Sequence, residues 1–265
     1  MINKIFYFIL TSLLLASCSE PSDSSEANIE DDSVVSVKPI ELTPNEIVAK
    51  SYIFHGCEKI NSESITFDFR KFHFEYLHTD TGVVRIRSFQ DSLGNEIQDV
   101  WSRLTLERFE NGEVMSISKE KEQAYMSSVN SIFYFAFLPK SLRDPAVNLE
   151  YIDTANMKGH QYHKIRVTFD QEGGGEDHED VFMYWFDLEN YSMDYLAYSY
   201  ETDGGGMRFR ASTNRKKIEG IVFQDYLNFA PPEGAKLEDL DSLYNEDMLK
   251  QVSVIEQGNI KVKKD

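Results

Sequence analysis

Strands that are apolar on both faces restrict the folds open to this 265-residue chain more than any other feature of its sequence. In "VFMYWFDL" (181–188), large apolar side chains occupy odd and even positions alike, and "YSMDYLAYSY" (191–200) repeats the pattern. The chain holds 18 Phe, 14 Tyr and 2 Trp, many of them in such runs. Because successive side chains of a strand point to opposite faces, a sheet with one side in water would carry polar residues at every second position. Both sides of this sheet must therefore be covered.

Helical segments interrupt the strands and can supply that cover. Thr43-Pro44-Asn45-Glu46 is typical of a helix start with a capping box, and Gly56 is a natural stop. Residues 119–137 carry apolar side chains at helical spacing. No helix follows the glycine runs 173–175 and 204–206, which favours hairpin turns over phosphate-binding loops. This order predicts a mainly β (α+β) fold, in which helices plug a curved antiparallel sheet, or half-barrel.

The first residues predict an exported, lipid-anchored protein. Lys4 precedes the apolar stretch 5–15, which is shorter than the roughly 20 residues that cross a bilayer and is typical of a secretory signal. "LASC" (15–18) resembles a bacterial lipobox, which implies that the chain is cleaved before Cys18 and that acyl chains are attached there. Ordinary signal cleavage after Cys18 is the alternative. We expect contact with the membrane through these N-terminal acyl chains.

These signals divide the chain into four parts. We expect a signal peptide (1–17), a lipidated cysteine with a disordered acidic tether (18–42), one half-barrel domain (43–258) and a tail (259–265). Ser19 beside the cysteine resembles a signal for sorting to the outer membrane. The prediction is therefore an outer-membrane lipoprotein, on the periplasmic side or at the cell surface.

Charge and cysteine content exclude several kinds of partner. The formal net charge of −18 repels phosphate backbones, so nucleic acid is not expected as a partner. We expect a monomer. If Cys18 carries lipid, Cys57 has no cysteine partner, and a small buried hydrophobe is favoured over a reactive thiol.

The sequence does not single out a catalytic or metal site. It contains neither G-x-S-x-G nor H-E-x-x-H, and its carboxylates are too numerous for a glycosidase pair to be chosen. A hairpin centred near Gly174 would hold His163 and His178 more than about 20 Å apart, too far for one zinc ion, although His160, Asp177, Glu179 and Asp180 lie nearby in sequence. We expect no metal, no cofactor and no enzymatic activity, with a hydrolase as the least favoured alternative.

Aromatic side chains on neighbouring strands suggest a wall for a hydrophobic ligand, with arginines at its rim. Arginine is suited to the carboxylate or headgroup of such a ligand. Core packing is the alternative for the aromatic residues, and Arg70, Arg85 and Arg87 are expected on the solvent face of the early strands. The candidate ligand-binding residues are Tyr184, Trp185, Tyr198, Tyr200, Arg208, Phe209 and Arg210.

Short motifs resemble those of a family of uncharacterised Bacteroidota-type lipoproteins. The resemblance covers roughly residues 44–255 and rests on "HGC" (55–57), "FDFR" (67–70), "MRFR" (207–210) and "GIVFQDY" (220–226). Cys57 stands where the family pattern has glycine. The order of elements, with "PAVNLEYIDTANMKGHQYHKIRVTF" after the helical insertion, also resembles the LolA/LolB-like half-barrel.

This resemblance implies a fold but no established activity, because one fold hosts many functions. In carriers of acyl chains, a half-barrel of this type implies a hydrophobic cavity on its concave side. We therefore expect an envelope lipoprotein that binds or carries a hydrophobic small molecule or lipid on the concave face of its sheet. The alternative is an interaction module for another envelope protein or a glycan.

Overall fold

The computed structural model describes residues 42–172, 179–200 and 205–264, and antiparallel strands hold more than half of these described residues. Residues 41–265 form one compact unit. The strands are β1 (Glu63–Phe69), β2 (Phe72–Thr79), β3 (Gly82–Gln90), β4 (Glu96–Ser102), β5 (Thr105–Glu110), β6 (Glu113–Met115), β7 (Val147–Met157), β8 (His160–Phe169), β9 (Val181–Asp187), β10 (Met193–Tyr200), β11 (Gly206–Ile218), β12 (Ile221–Ala230), β13 (Lys250–Ile255) and β14 (Gly258–Lys264).

The described strands pair as two seven-stranded sheets. The first sheet has the order β14-β1-β2-β3-β4-β5-β6, and the second has the order β13-β12-β11-β10-β9-β8-β7. The predicted mainly β, antiparallel fold is confirmed, with its strands divided between two sheets. The segment expected to be a tail forms β14 instead, since Ile65 of β1 pairs with Val262. The apolar-polar alternation of "NIKVKK" fits an edge strand, and its partner β1 is far away in sequence.

Helices α1 (Pro44–Phe54) and α2 (Lys119–Ala136) form where the sequence predicts them, and both contribute side chains to the buried clusters of the two sheets. The capping box of α1 is present, because the Thr43 hydroxyl accepts from the amide of Glu46 and the Glu46 carboxylate accepts from the amide of Thr43. Val129 and Phe133 of α2 pack in the cluster of the first sheet, whereas Tyr134 and Phe135 pack against the second. We call the face that contacts α1 and α2 the inner face of each sheet.

The outer face of the second sheet has its own cover. Helix α3 (Leu240–Asn245) and the chain around it place Leu237, Leu240 and Leu249 on a third buried cluster. Lys164 and Asp241 form a buried ion pair at 2.7 Å beneath this helix. Cover on both faces explains why β9 and β10 are apolar at odd and even positions.

Arg85 and Arg87 correct one expectation. They were expected in solvent, but the register places them on the inner face of the first sheet, opposite Trp101 and Asp99 of β4. Arg87 is buried and bonds the fully buried Asp99 through two nitrogens at 2.9 and 2.6 Å. A counter-charge supplied by a neighbouring strand makes an inward arginine stable here.

The family-like motifs at 55–57 and 220–226 meet in the fold. The amide of Val222 donates to the carbonyl of His55 at 2.9 Å. Gly56 has φ of +65°, and a Cβ placed there would lie 2.1 Å from the carbonyl oxygen of Gly220. Cys57 is a buried free thiol, and burial raises its pKa to about 12. Its predicted role as a small buried hydrophobe is confirmed.

Candidate functional site on the inner face of the second sheet

Three neighbouring strands, β9, β10 and β11, present the predicted wall. Tyr198 pairs with Phe182 on one side and with Arg208 on the other, and Leu196 pairs in the same way with Tyr184 and Arg210. Residues directly opposite one another in antiparallel strands share a face. Tyr184 and Phe182 pack with α1 residues, so these two rows lie on the inner face.

The predicted residues divide between the two faces of the sheet. Tyr184, Tyr198, Tyr200, Arg208 and Arg210 lie on the inner face. The other two, Trp185 and Phe209, are fully buried on the outer face in the cluster beneath α3.

Contacts of Trp185 and Phe209 are those of core residues. The indole nitrogen of Trp185 donates to Asp241 at 3.4 Å, and the ring of Phe209 stacks on Tyr244 at 4.7 Å between centroids. The structure therefore brings together five of the seven predicted side chains and sets these two apart.

Aromatic side chains from α2 and β8 complete the inner-face wall. Phe135 lies 5.5 Å from Tyr198 between ring centroids, and Phe169 lies 5.7 Å from Phe182. Phe182 and Tyr198 stack at 5.3 Å, and Phe182 is buried while the other three rings are half-buried. Phe135 and Phe169 are not among the ligand-binding residues predicted from the sequence. The signal for Phe135 was the run of three aromatic residues at 133–135, which cannot all face one sheet from one helix. We call Phe135, Phe169, Phe182 and Tyr198 the aromatic wall.

Tyrosine hydroxyls lie next to this wall and stay neutral. The hydroxyls of Tyr134 and Tyr184 are 2.9 Å apart, and burial raises the pKa of both phenols. Burial also raises the pKa of Tyr226 to about 12, although Gln224 donates to its hydroxyl at 2.8 Å. These groups therefore offer hydrogen bonds without charge at any physiological pH.

Arg210 is the cation closest to the wall. Its guanidinium carbon lies 4.1 Å from the ring centroid of Phe135 and 5.1 Å from that of Tyr198, and Nη2 donates to the Tyr198 hydroxyl at 2.8 Å. Arg208 lies 5.4 Å from the ring of Tyr200. Within the described residues, Arg210 forms no ion pair with a carboxylate.

The first sheet carries a separate surface groove of about 650 Å³. Phe72 and Phe89 contact edge to face at 5.1 Å, and Asp68 pairs with His73 at 2.6 Å. The groove is lined by Asp68, Arg70, Lys71, Phe72, His73, Ser88, Phe89, Gln90 and Glu96. Arg70 is exposed there, in line with its expected contact with solvent.

Side chains that could bind a metal ion are scattered in the described ranges. Across residues 42–172, 179–200 and 205–264, no three His, Cys, Asp or Glu side chains converge on a point that a metal ion could occupy. His160 and His163 lie on β8, and the ring of His163 stacks on Tyr191. Asp177 and His178 of the acidic loop lie outside the described residues.

The membrane predictions rest on the N-terminal residues. Cys18 lies outside the described residues, so its acylation stays a prediction. Within the part of the chain that is described, none of the helices has the length and apolar character needed to span a bilayer.

Comparisons with known proteins identify a family and several solved structures of similar fold. A model described as a family of unknown function, DUF6503, matches residues 3–257. No curated protein matches the chain. A LolA superfamily protein from Nitrosomonas europaea is similar at 9% identity and a TM-score of 0.47, over 83% of this chain and 94% of that chain. A DUF1329 family protein from Desulfovibrio piger is similar at 10% identity and a TM-score of 0.43, over 83% of this chain and 93% of that one.

The match over residues 3–257 confirms the predicted resemblance to an uncharacterised family. Similarity at this level carries no information about ligand or activity. The Bacteroidota origin stays a prediction.

Proposed function

The chain belongs to DUF6503, a family of unknown function, and we propose that it binds a hydrophobic ligand on the inner face of the second sheet. The observation that carries this proposal is the aromatic wall. Three of its four rings are half-buried, although they are packed on a fully formed core. A ligand with an acyl-like chain would cover these rings and would gain roughly 25 cal/mol for each Å² of apolar surface removed from water.

The side chains around the wall favour binding over catalysis. Tyr134, Tyr184 and Tyr226 are neutral phenols with raised pKa values, which makes them poor proton acceptors at neutral pH. They supply hydrogen bonds that orient a ligand in an otherwise apolar site. We therefore propose a non-enzymatic binding or carrier protein.

The cellular setting belongs to the proposal as well. The lipobox-like segment ending at Cys18, the acidic tether and Ser19 favour an outer-membrane lipoprotein whose domain faces the periplasm or the cell surface. Acyl chains on Cys18 would hold the protein on the membrane, since each buried methylene contributes roughly 0.8 kcal/mol. The domain would act as a monomer.

Native mass spectrometry of residues 41–265, purified from a Gram-negative envelope, tests ligand binding directly. We expect a lipid or fatty acid bound at close to one to one. Tyr198→Ala should lose this ligand, because it removes part of the wall. Trp185→Ala, a change on the outer face of the neighbouring strand, should retain it. An unliganded wild-type protein that also fails to take up added fatty acid would refute the proposal.

The groove on the first sheet supports a second candidate, a glycan-binding module. Its volume is within the usual range for ligand sites, roughly 300–1,000 Å³, and aromatic Phe72 and Phe89 lie beside hydrogen-bonding Ser88 and Gln90. Such a mixture suits the apolar and hydroxyl faces of a sugar. Calorimetric titration with envelope polysaccharide fragments should show binding that weakens in Gln90→Ala but not in Tyr198→Ala. Equal affinities of the two variants for the polysaccharide would exclude this groove as the glycan-binding site.

A further inference from the structure

We propose that the ligand of the inner-face site has an anionic head, a carboxylate or a phosphate, which binds at Arg210 while its apolar chain lies on the aromatic wall. This inference rests on the proposed function, because it assigns the chemistry of the polar end of the same ligand.

The first reason is the unpaired charge of Arg210. On the inner face of the first sheet, Arg87 and Arg108 share the buried carboxylate of Asp99, with contacts of 2.6 and 2.7 Å. On the inner face of the second sheet, the guanidinium of Arg210 contacts Tyr198 and Phe135, and none of the ion pairs among the described residues includes it. A guanidinium removed from water without a counter-charge is costly, and the cost falls when an anion binds.

The second reason is a pair of buried polar atoms without partners. Among the described residues, Nε of Arg210 meets no hydrogen-bond acceptor and Oδ1 of Asn228 meets no donor. Arg210 and Asn228 are directly opposite in the pairing of β11 with β12, and Asn228 is only 9% exposed. The Cβ atoms of such a pair are typically about 5 Å apart, so the two side chains start from adjacent positions on the same face of the sheet.

Asn228 can adapt to an anionic head. Its Nδ2 donates to the hydroxyl of Ser253 at 3.0 Å. Because a hydroxyl can donate as well as accept, rotation of the amide would let Ser253 donate to Oδ1 and would free Nδ2 for the ligand. Arg210 and Asn228 would then supply two donors to the same anionic group.

The third reason is that Arg210 is already held in position. Stacking on Phe135 and the bond from Nη2 to Tyr198 restrict its long side chain before any ligand arrives. A donor that is already ordered loses little conformational entropy when a ligand binds. The same two rings belong to the aromatic wall, so the head and the chain of one amphiphile would bind side by side.

A matched pair of fluorescent probes tests the charge of the head. cis-Parinaric acid and its methyl ester have the same chain and differ in the anionic carboxylate. For residues 41–265, we expect the acid to bind about tenfold more tightly than the ester, as one charge-assisted contact would give. Arg210→Gln should abolish this preference by weakening acid binding alone. Arg208→Gln, two residues away on the same face, should preserve it, and Arg210→Lys should restore part of it.

Competition distinguishes the two sources of anion. Myristic acid, myristyl phosphate and myristyl alcohol carry the same chain with different heads. Displacement of the probe by the acid or the phosphate at lower concentration than by the alcohol supports the inference and shows which anion is preferred.

Two outcomes separate failure of this inference from failure of the proposed function. If wild-type protein binds the acid and the ester equally, the anionic head is refuted and the hydrophobic site stands. If neither probe binds, both proposals fall. The wild-type comparison of acid and ester tests the anionic head even if Arg210→Gln does not fold. If a folded Arg210→Gln variant still prefers the acid to the ester as the wild type does, the role of Arg210 is overturned.

Discussion

Asp99 is predicted to be the most sensitive charged residue of the domain. It is fully buried and accepts four hydrogen bonds, two from Arg87 at 2.9 and 2.6 Å and two from Arg108 at 2.7 and 3.0 Å. Arg87 also donates to Ser128, and the guanidinium of Arg108 lies 3.6 Å from the ring centroid of Tyr125. Both partners of the carboxylate therefore hold α2 on the first sheet.

Asp99→Ala should lower the free energy of unfolding by about 4 kcal/mol. The change leaves two guanidinium groups together, with side chains only 10% and 17% exposed, and breaking one buried pair typically costs about 3–5 kcal/mol. Such a loss is a large share of the roughly 5–15 kcal/mol that stabilises a domain. Urea unfolding of residues 41–265, monitored by circular dichroism, measures this loss. The urea concentration at the midpoint should fall, and the dependence of the free energy of unfolding on urea should stay constant.

A matched control uses the exposed ion pair of Lys158 and Asp247, in which the aspartate side chain is 85% exposed. Asp247→Ala should cost less than about 1 kcal/mol. If Asp99→Ala costs no more than this control, water reaches both guanidinium groups and the reasoning from burial is wrong.

Four further changes give distinct readouts. Gly56→Ala should destabilise the domain by more than about 1 kcal/mol in urea unfolding, since its Cβ would meet the Gly220 carbonyl 2.1 Å away; an unchanged midpoint would contradict that contact. Trp185→Ala should lower stability by about 3–5 kcal/mol while the binding of cis-parinaric acid persists, and loss of the ligand without loss of stability would contradict its place in the core. Burial and the charge of Arg215 lower the pKa of His55 to about 3 from an ordinary 6.5. Below pH 6.5 the unfolded state therefore binds a proton that the folded state does not. The free energy of unfolding falls on acidification, by about 2 kcal/mol at pH 5. His55→Gln should remove this part of the pH dependence. If the free energy of unfolding of the variant and of the wild type changes with pH in the same way, the role of His55 is refuted. Cys18→Ser should move the protein from the membrane to the soluble fraction, and a variant that stays in the membrane would contradict the lipobox interpretation.

Local sequence was sufficient where the interacting groups are close along the chain. The capping box at Thr43 and Glu46 joins residues three apart, and both its hydrogen bonds are present. The span of α2 followed from apolar spacing within 119–137. The covered second sheet followed from the two-faced apolar pattern of β9 and β10, because burial of large side chains is demanded whatever covers them.

Prediction failed where the partner of a residue lies on another element. Arg85 and Arg87 of β3 were expected on the solvent face, because charged side chains are usually exposed. Asp99, which makes an inward Arg87 stable, lies on β4, and nothing in the sequence near β3 indicates the pair. The segment that forms β14 was expected to be a tail for the same reason, since its partner β1 lies near the other end of the domain.

The sequence by itself determined that the chain is built of antiparallel strands with both faces of one sheet covered, and it indicated a lipid anchor before an acidic domain. It also placed Tyr184 and Trp185 on opposite faces, since neighbours in a strand must alternate. Only the tertiary structure decided which face meets α2 and which meets α3, and hence that Tyr184 belongs with the candidate ligand site and Trp185 with the core. The physical reason is that hydrophobic burial is non-directional: it requires that each face be covered, but the identity of the cover depends on packing between elements far apart in sequence.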